Sequence, residues 1–220
     1  MSDIFQEVDE EVRRDKAAEF WKKYQNLILA GAALVVLASA GFRYWQYEAE
    51  KARQAAGDQF QQALAALEGG KLDEAKAGFD KIAGEGPSGY RALAQMAAAG
   101  SKAQTDPQGA AAAFDAVAGD AAIDPLLRDG ARLRAALIRL DIPGEEQKGE
   151  AALTGLSAGD GPFRRVARLE LAAAALARND YDDAAKELDL VLGDPVVSPD
   201  ERQLANRWLG LVAANRTAAK

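Results

Sequence analysis

The chain has 220 residues with 34 acidic and 27 basic side chains, a net charge of −7, and neither cysteine nor histidine. The acidic balance argues against a nucleic-acid partner, because phosphates need a basic surface. The two missing residue types exclude a thiolate nucleophile, a histidine general base and a Cys/His zinc site. A carboxylate-only hydrolase stays open, but no pair of acids stands out. We therefore expect a protein that is not an enzyme and needs no cofactor or metal.

The N-terminal region combines a charged tail with an apolar segment. Residues 1–23 carry seven acidic and five basic side chains, and Tyr24 to Phe42 then run for nineteen residues without a charge. As a helix, this run measures roughly 28 Å, which matches the hydrocarbon core of a bilayer. We expect a cytoplasmic tail over residues 1–23 and a transmembrane helix over 24–45, flanked by aromatic residues typical of a membrane interface. The proposed anchor residues are Leu27, Ile28, Leu29, Leu34, Val35, Val36, Leu37 and Phe42.

The flanking charges indicate an orientation. Five Lys or Arg side chains precede the apolar segment and three follow it, which favours a cytoplasmic N-terminus. In a Gram-negative bacterium, the C-terminal domain would then be periplasmic and the anchor single-pass in the inner membrane. The alternative is a signal peptide cleaved after Ala40, because Ala38-Ser39-Ala40 has a small-x-small form, and cleavage would release a soluble periplasmic protein. The acidic tail favours an uncleaved anchor.

Residues 46–220 are rich in alanine and poor in strand signals, which predicts an all-α domain. The domain is also self-similar: stretches 69–87, 105–125 and 178–195 place a small residue, a large apolar residue four later and another three after that on one helical face. A proline, alone or after an acidic residue, is expected to end each unit. The aligned residues are Ala75, Phe79 and Ile82, then Ala110, Phe114 and Val117, then Ala184, Leu188 and Val191.

The other segments are also helical in pattern. Between the second and last copies we expect helices over 126–140 and 145–156, and counting them as a repeat requires a spacing change of several residues. Upstream, residues 48–67 predict a helix continuing from the membrane span, with Gly57 a weak point. Near the end, Ser198-Pro199-Asp200-Glu201 has the pattern of a capping box, at the start of a helix that carries Trp208 and covers the last repeat.

This pattern resembles the tetratricopeptide repeat, a helix-turn-helix unit of about 34 residues. We therefore expect an α-solenoid of degenerate helix pairs with a C-terminal capping helix, the alternative being generic amphipathic hairpins. Repeat arrays bind partners in a groove lined by the first helix of each pair. The candidate partner-binding residues lie on two such helices, where the arginines are placed either to bind a partner's carboxylates or to form a solvated face. These candidates are Tyr90, Arg164, Arg165 and Arg168.

The order of charged tail, single span and degenerate repeats resembles the YfgM-like ancillary translocon subunit family of bacterial inner-membrane proteins. The tail from Glu10-Glu11 to Lys22-Lys23 and the GKLDEA turn at residues 70–75 carry the resemblance. It implies a non-enzymatic scaffold that associates with Sec channel subunits and hands exported polypeptides to periplasmic chaperones. A generic membrane-tethered adaptor for an envelope assembly or division complex has the same architecture and is the alternative.

Overall fold

The computed structural model describes the backbone of residues 3–218 and the side chains of residues 14, 18, 21–27 and 29–216. Every regular element in this part of the chain is an α-helix, which confirms the all-α prediction. The helices are α1 Asp3–Glu68, α2 Leu72–Glu85, α3 Ser88–Lys102, α4 Pro107–Gly119, α5 Pro125–Leu140, α6 Glu146–Ser157, α7 Arg164–Ala177, α8 Tyr181–Leu192 and α9 Pro199–Ala218.

The chain divides into two units, Met1–Ala52 and Arg53–Lys220. In the first unit, α1 exposes a continuous series of large apolar side chains, a surface that is stable only where lipid or protein covers it. By length and composition, this apolar helix is a candidate for a single membrane span. Of the proposed anchor residues, Ile28 lies outside the described side chains. The others are all more than half exposed, namely Leu27, Leu29, Leu34, Val35, Val36, Leu37 and Phe42.

In the second unit, consecutive helices pack against one another through short connections. Four buried clusters follow in chain order, and each joins three consecutive helices. The first joins the end of α1 with α2 and α3, the next α3 to α5, then α5 to α7, and the last α7 to α9. Because α3, α5 and α7 each contribute to two clusters, the cores form a continuous stack, as in an α-solenoid.

All four helix pairs keep one buried register. The fourth residue of α2, α4, α6 and α8 is small and buried, a large apolar residue lies four positions later, and another follows after three more. These sets are Ala75, Phe79 and Ile82; Ala110, Phe114 and Val117; Gly149, Leu153 and Leu156; and Ala184, Leu188 and Val191. The separation between neighbouring copies is 35 residues, except for 39 between the second and third. Helices α5 and α6 therefore form a third repeat, and its buried register begins four residues later than a spacing of 35 would place it.

Gly149 marks a very close approach between α5 and α6. A Cβ at this position would lie 2.8 Å from the carbonyl oxygen of Ala136 and 3.2 Å from Cδ2 of Leu140. Real Cβ atoms are not found so close to a backbone oxygen, so alanine would push the two helices apart. The third pair thus needs glycine where the other three pairs accept alanine.

Aromatic side chains pack together at the first helix pair. The ring of Phe60 on α1 packs 5.5 Å from that of Phe79 and 6.2 Å from that of Tyr90. The helix continues through Gly57, which the sequence marked as a weak point. A Cβ there would lie 2.8 Å from Oη of Tyr90, so this glycine leaves room for the tyrosine.

Three of the seven prolines begin helices in this fold. Pro107, Pro125 and Pro199 occupy the first position of α4, α5 and α9, where the missing N–H costs no hydrogen bond. Asp124 precedes one of them and accepts a hydrogen bond of 2.8 Å from the backbone N–H of Leu126. The acidic-proline pair at 124–125 lies between α4 and α5, where the sequence predicts the end of a unit, and it also caps and starts the next helix.

The final helix begins with the predicted capping box. The backbone N–H of Ser198 donates to Oε2 of Glu201 at 2.8 Å, and the N–H of Glu201 donates to Oγ of Ser198 at 3.2 Å. Trp208 is partly buried against the last cluster. Helix α9 therefore covers the apolar face of the last pair, as expected for a solenoid cap.

Candidate protein-interaction surface

Helices α3, α5 and α7 form the inner layer of the array. Helix α3 contacts α5 and α5 contacts α7, whereas no comparable contact joins α2, α4, α6 and α8 in the described part of the chain. In a curved stack of helix pairs, the helices on the concave side lie closest together. The concave surface is therefore lined by α3, α5 and α7.

One depression on this surface, here called the apolar notch, opens between α3 and α5 above Phe114. It measures about 420 Å³. Arg134 stands exposed at its rim and has no hydrogen bond or ion pair with another described residue. An apolar side chain could enter the notch without displacing any part of the fold. Its lining is Met96, Ala97, Gly100, Ala103, Phe114, Arg134, Leu137 and Ile138.

A second depression, here called the acidic notch, opens where α5 ends, α6 begins and α7 ends. It measures about 640 Å³. Glu150 forms an ion pair with Arg178, and Glu146 accepts a hydrogen bond of 2.8 Å from the N–H of Gly144. The carboxylate of Asp141 is exposed and has no cationic partner among the described residues. The acidic notch is lined by Leu140, Asp141, Glu146, Gln147, Glu150, Ala174, Ala177 and Arg178.

Glu170 adds a further acid beside the acidic notch. It lies on α7 one turn before Ala174, which lines the notch. Partial burial raises the pKa of Glu170 above its ordinary value, and the negative charge of Asp141 raises it further. Neither carboxylate has a neutralising cation among the residues that the structure describes, so a cation from outside would relieve their repulsion.

The three arginines predicted to bind a partner lie at the N-terminal end of α7, and their guanidinium groups are paired inside the fold. Arg164 binds Asp194 through Nε at 2.5 Å and Nη2 at 2.8 Å. Arg165 binds Glu201 at 3.0 Å, and Arg168 donates to the carbonyl oxygen of Ser157 at 3.0 Å. The side chain of Asp194 is only 2% exposed. These contacts tie α7 to the loop before α9, to α9 itself and to the end of α6. Partner binding by the arginines stays a prediction.

The same contacts set the protonation state of the acids. The hydrogen bond from Arg164 lowers the pKa of the Asp194 carboxyl, with a further contribution from the backbone N–H of Val196. Burial alone would raise that pKa, so the charge pairing outweighs desolvation. Asp194 therefore stays ionised while buried, which links the three arginines into one electrostatic cluster.

Tyr90 lies at the start of α3 and is partly buried by Phe60 and Gly57. Its ring supports the first helix pair, and its use as a partner-binding residue stays a prediction. Leu93 is one turn further along α3 and 38% exposed. It lies on the helical face that leads to Ala97 and Gly100 in the apolar notch.

The sequence analysis did not single out α5, which lines both notches. A signal was available: Arg134, Leu137, Ile138 and Asp141 follow the i, i+3, i+4, i+7 spacing of one helical face. In isolation, that face is typical of core packing. Only the contacts of α5 with α3 and α7 place it on the inner surface.

No group of three or more acidic, histidine or cysteine side chains among the described residues is arranged to hold a metal ion.

A family model described as "Tetratricopeptide repeat-like domain" matches residues 18–162, more than half of the chain. The fourth helix pair lies beyond the matched residues and keeps the same buried register. Comparisons with curated proteins and with solved structures found no match.

Proposed function

The chain belongs to the tetratricopeptide repeat-like domain family, and we propose that it is a non-enzymatic, membrane-anchored scaffold that binds other proteins on its inner layer. Domains of this kind are generally interaction modules without catalytic activity. The observation that carries the proposal is the layer of α3, α5 and α7, which contributes to both notches: α3 and α5 line the apolar notch, and α5 and α7 line the acidic notch together with the start of α6. Residues of packed helices line most of both notches, so little backbone order has to be gained on binding.

The proposed location is a membrane surface. The exposed apolar part of α1 supports an anchor over residues 24–45, because such a surface is unfavourable in water. The charge bias supports a cytoplasmic tail over residues 1–23 and a periplasmic domain over residues 46–220. We therefore propose that the protein is a single-pass protein of a bacterial inner membrane, with the array facing the periplasm.

The proposed partners are Sec channel subunits on the membrane side, with exported polypeptides and periplasmic chaperones on the array. The resemblance of the tail and of the GKLDEA turn to the YfgM-like family supports this assignment. In this role, the protein receives chains as they leave the channel and passes them to chaperones. Handover needs a binding surface that releases its ligand readily, which suits shallow notches better than a closed pocket.

The proposal is tested by isolating the full chain from bacterial membranes in mild detergent after photo-crosslinking. One variant carries the crosslinker at Leu34, which is 68% exposed on the apolar helix, and a second carries it at Leu93. We expect Sec channel subunits at the first position and exported polypeptides or chaperones at the second. Envelope assembly or division proteins at both positions, with no channel subunit, would instead identify the generic adaptor.

A further inference from the structure

The two notches lie side by side and differ in chemistry. The apolar notch takes its outer wall from Leu137 and Ile138 of α5, and the acidic notch takes its own wall from Leu140 and Asp141 of the same helix. One turn of helix separates the two walls. A ligand that extends along α5 from one notch therefore reaches the other.

The spacing of the notches selects an extended ligand. Packed helices generally lie about 8–10 Å apart, and α5 contributes a wall to both notches. We take one such spacing as the separation that a ligand has to span. A chain in the polyproline II conformation rises about 3.1 Å per residue with three residues per turn. Side chains three positions apart then point the same way at about 9 Å. This conformation is common in unfolded chains, so an unfolded polypeptide matches the spacing without a large ordering cost.

The charges select the second side chain of that ligand. Asp141 and Glu170 have no cationic partner within the described structure, and they lie close enough for Asp141 to raise the pKa of Glu170. A Lys or Arg side chain entering the acidic notch neutralises this repulsion, while an acidic one increases it. The two notches thus distinguish between ligands by the charge of a side chain as well as by its apolar surface.

We propose that the paired notches bind an extended polypeptide segment in which a large apolar side chain lies three positions from a lysine or arginine. The apolar side chain fills the notch above Phe114, and the basic side chain meets Asp141 and Glu170. This inference rests on the proposed function, since it names the class of polypeptide that the inner layer receives.

The test measures peptide binding to the full chain in lipid nanodiscs by fluorescence anisotropy. The probe is a labelled, flexible Gly/Ser peptide with three Leu-x-x-Arg units. Matched peptides replace every Arg by Glu, or every Leu by Ser. We expect each replacement to weaken binding by roughly tenfold, because each removes one of the two complementary contacts.

Two variants address the notches separately. Gly100→Leu fills the apolar notch from within, and a Cβ at Gly100 meets only Cζ of Phe114 at a normal distance of 3.9 Å. It is expected to weaken the Leu/Arg peptide roughly tenfold. The double variant Asp141→Asn with Glu170→Gln is expected to lower the preference for Arg over Glu by about fivefold.

Matched controls use equivalent changes elsewhere on the array. Gly155→Leu places a leucine on α6 where a Cβ has no neighbour within 4 Å. The double variant Asp189→Asn with Glu85→Gln removes two exposed acids from α8 and α2. Both are expected to bind the peptide like the wild type, and far-UV circular dichroism confirms that every variant is folded.

Three outcomes overturn the inference. The first is equal affinity for the three peptides, and the second is binding by the notch variants that equals binding by their controls. The third is a change in oligomeric state caused by Gly100→Leu without peptide, which would make a second copy the occupant. If crosslinking at Leu93 still recovers exported polypeptides, the proposed function stands and only the ligand class is wrong. If peptides bind as expected but no envelope protein is crosslinked, the proposed function fails instead.

Discussion

The α5–α6 pair and the α7–α8 pair solve the same packing problem with different sequences. Both bury a small residue at the fourth position of the second helix and a fully buried leucine four positions later, Leu153 in one and Leu188 in the other. The α5–α6 pair uses Gly149, because its helices approach too closely for a methyl group, whereas the α7–α8 pair uses Ala184. The repeat is therefore defined by buried volume at fixed positions rather than by residue identity.

The largest effect is expected from truncating the two equivalent leucines. Leu153→Ala and Leu188→Ala each remove a side chain that is 0% exposed, and each should lower the free energy of unfolding by about 2–5 kcal/mol. Urea denaturation of the full chain in detergent micelles, followed by circular dichroism, measures both values. A loss below about 1 kcal/mol for Leu153→Ala alone would show that the α5–α6 pair does not share the buried register.

The next largest effect is expected at Asp194, because among the described helix pairs only α7–α8 is followed by a buried acid. The pKa of Asp194 is lowered in the fold, so its stabilising contribution is present above its unfolded pKa and is lost as pH falls through the folded pKa. Asp194→Asn should lower the melting temperature at pH 7 and weaken the loss of stability below about pH 4. The exposed Asp189→Asn on α8 is the control. Equal melting curves for the two variants at pH 7 would contradict the role of Asp194.

Adding one methyl group tests the close approach of α5 and α6. Gly149→Ala should destabilise the protein by about 1–3 kcal/mol, because the new Cβ meets the carbonyl oxygen of Ala136. Gly155→Ala, in the same helix but without neighbours, should stabilise it by about 0.5–1 kcal/mol through helix propensity. Urea midpoints measure both. The same sign for the two substitutions would mean that the helices have room to spare at Gly149.

The smallest effect is expected at the acidic notch. The pKa of Glu170 is raised, so its contribution is favourable while it is protonated and is lost as pH rises through the folded pKa. Glu170→Gln should therefore raise the melting temperature slightly at pH 7 and leave it unchanged well below about pH 4. The exposed Glu85→Gln should have no effect at either pH. A lower melting temperature for Glu170→Gln at pH 7 would reveal a stabilising partner for the ionised carboxylate.

The sequence predicted most of the fold because its signals are local. Helix spacing and the alanine-led register identified the first, second and last pairs, and the Ser198 capping box located the start of α9. The expected helices over 126–140 and 145–156 differ from α5 and α6 by one residue at most at each end. Gly149 made the third copy difficult to recognise, because the sequence does not indicate whether a glycine in a helix is exposed or tightly packed.

The candidate surface was harder to predict because it depends on contacts between distant helices. Arg164 shows the difficulty: a basic cluster on a helix suggests an exposed binding patch, yet its partner Asp194 lies 30 residues away in a loop. Conversely, Leu137 and Asp141 resemble ordinary core and capping residues until α5 is placed between α3 and α7. Periodicity identifies which face of a helix is apolar, but it does not identify the neighbour that covers that face.

The most direct test of a partner-binding inner layer compares photo-crosslinking on its two sides in intact membranes. Arg134 lies at the rim of the apolar notch on α5, and Asp189 is an exposed residue on the outer helix α8. With the same crosslinker at either position of the full chain, we predict abundant partner adducts from Arg134 and few from Asp189. Equal yields, or adducts from Asp189 alone, would contradict the assignment of the inner layer as the binding surface.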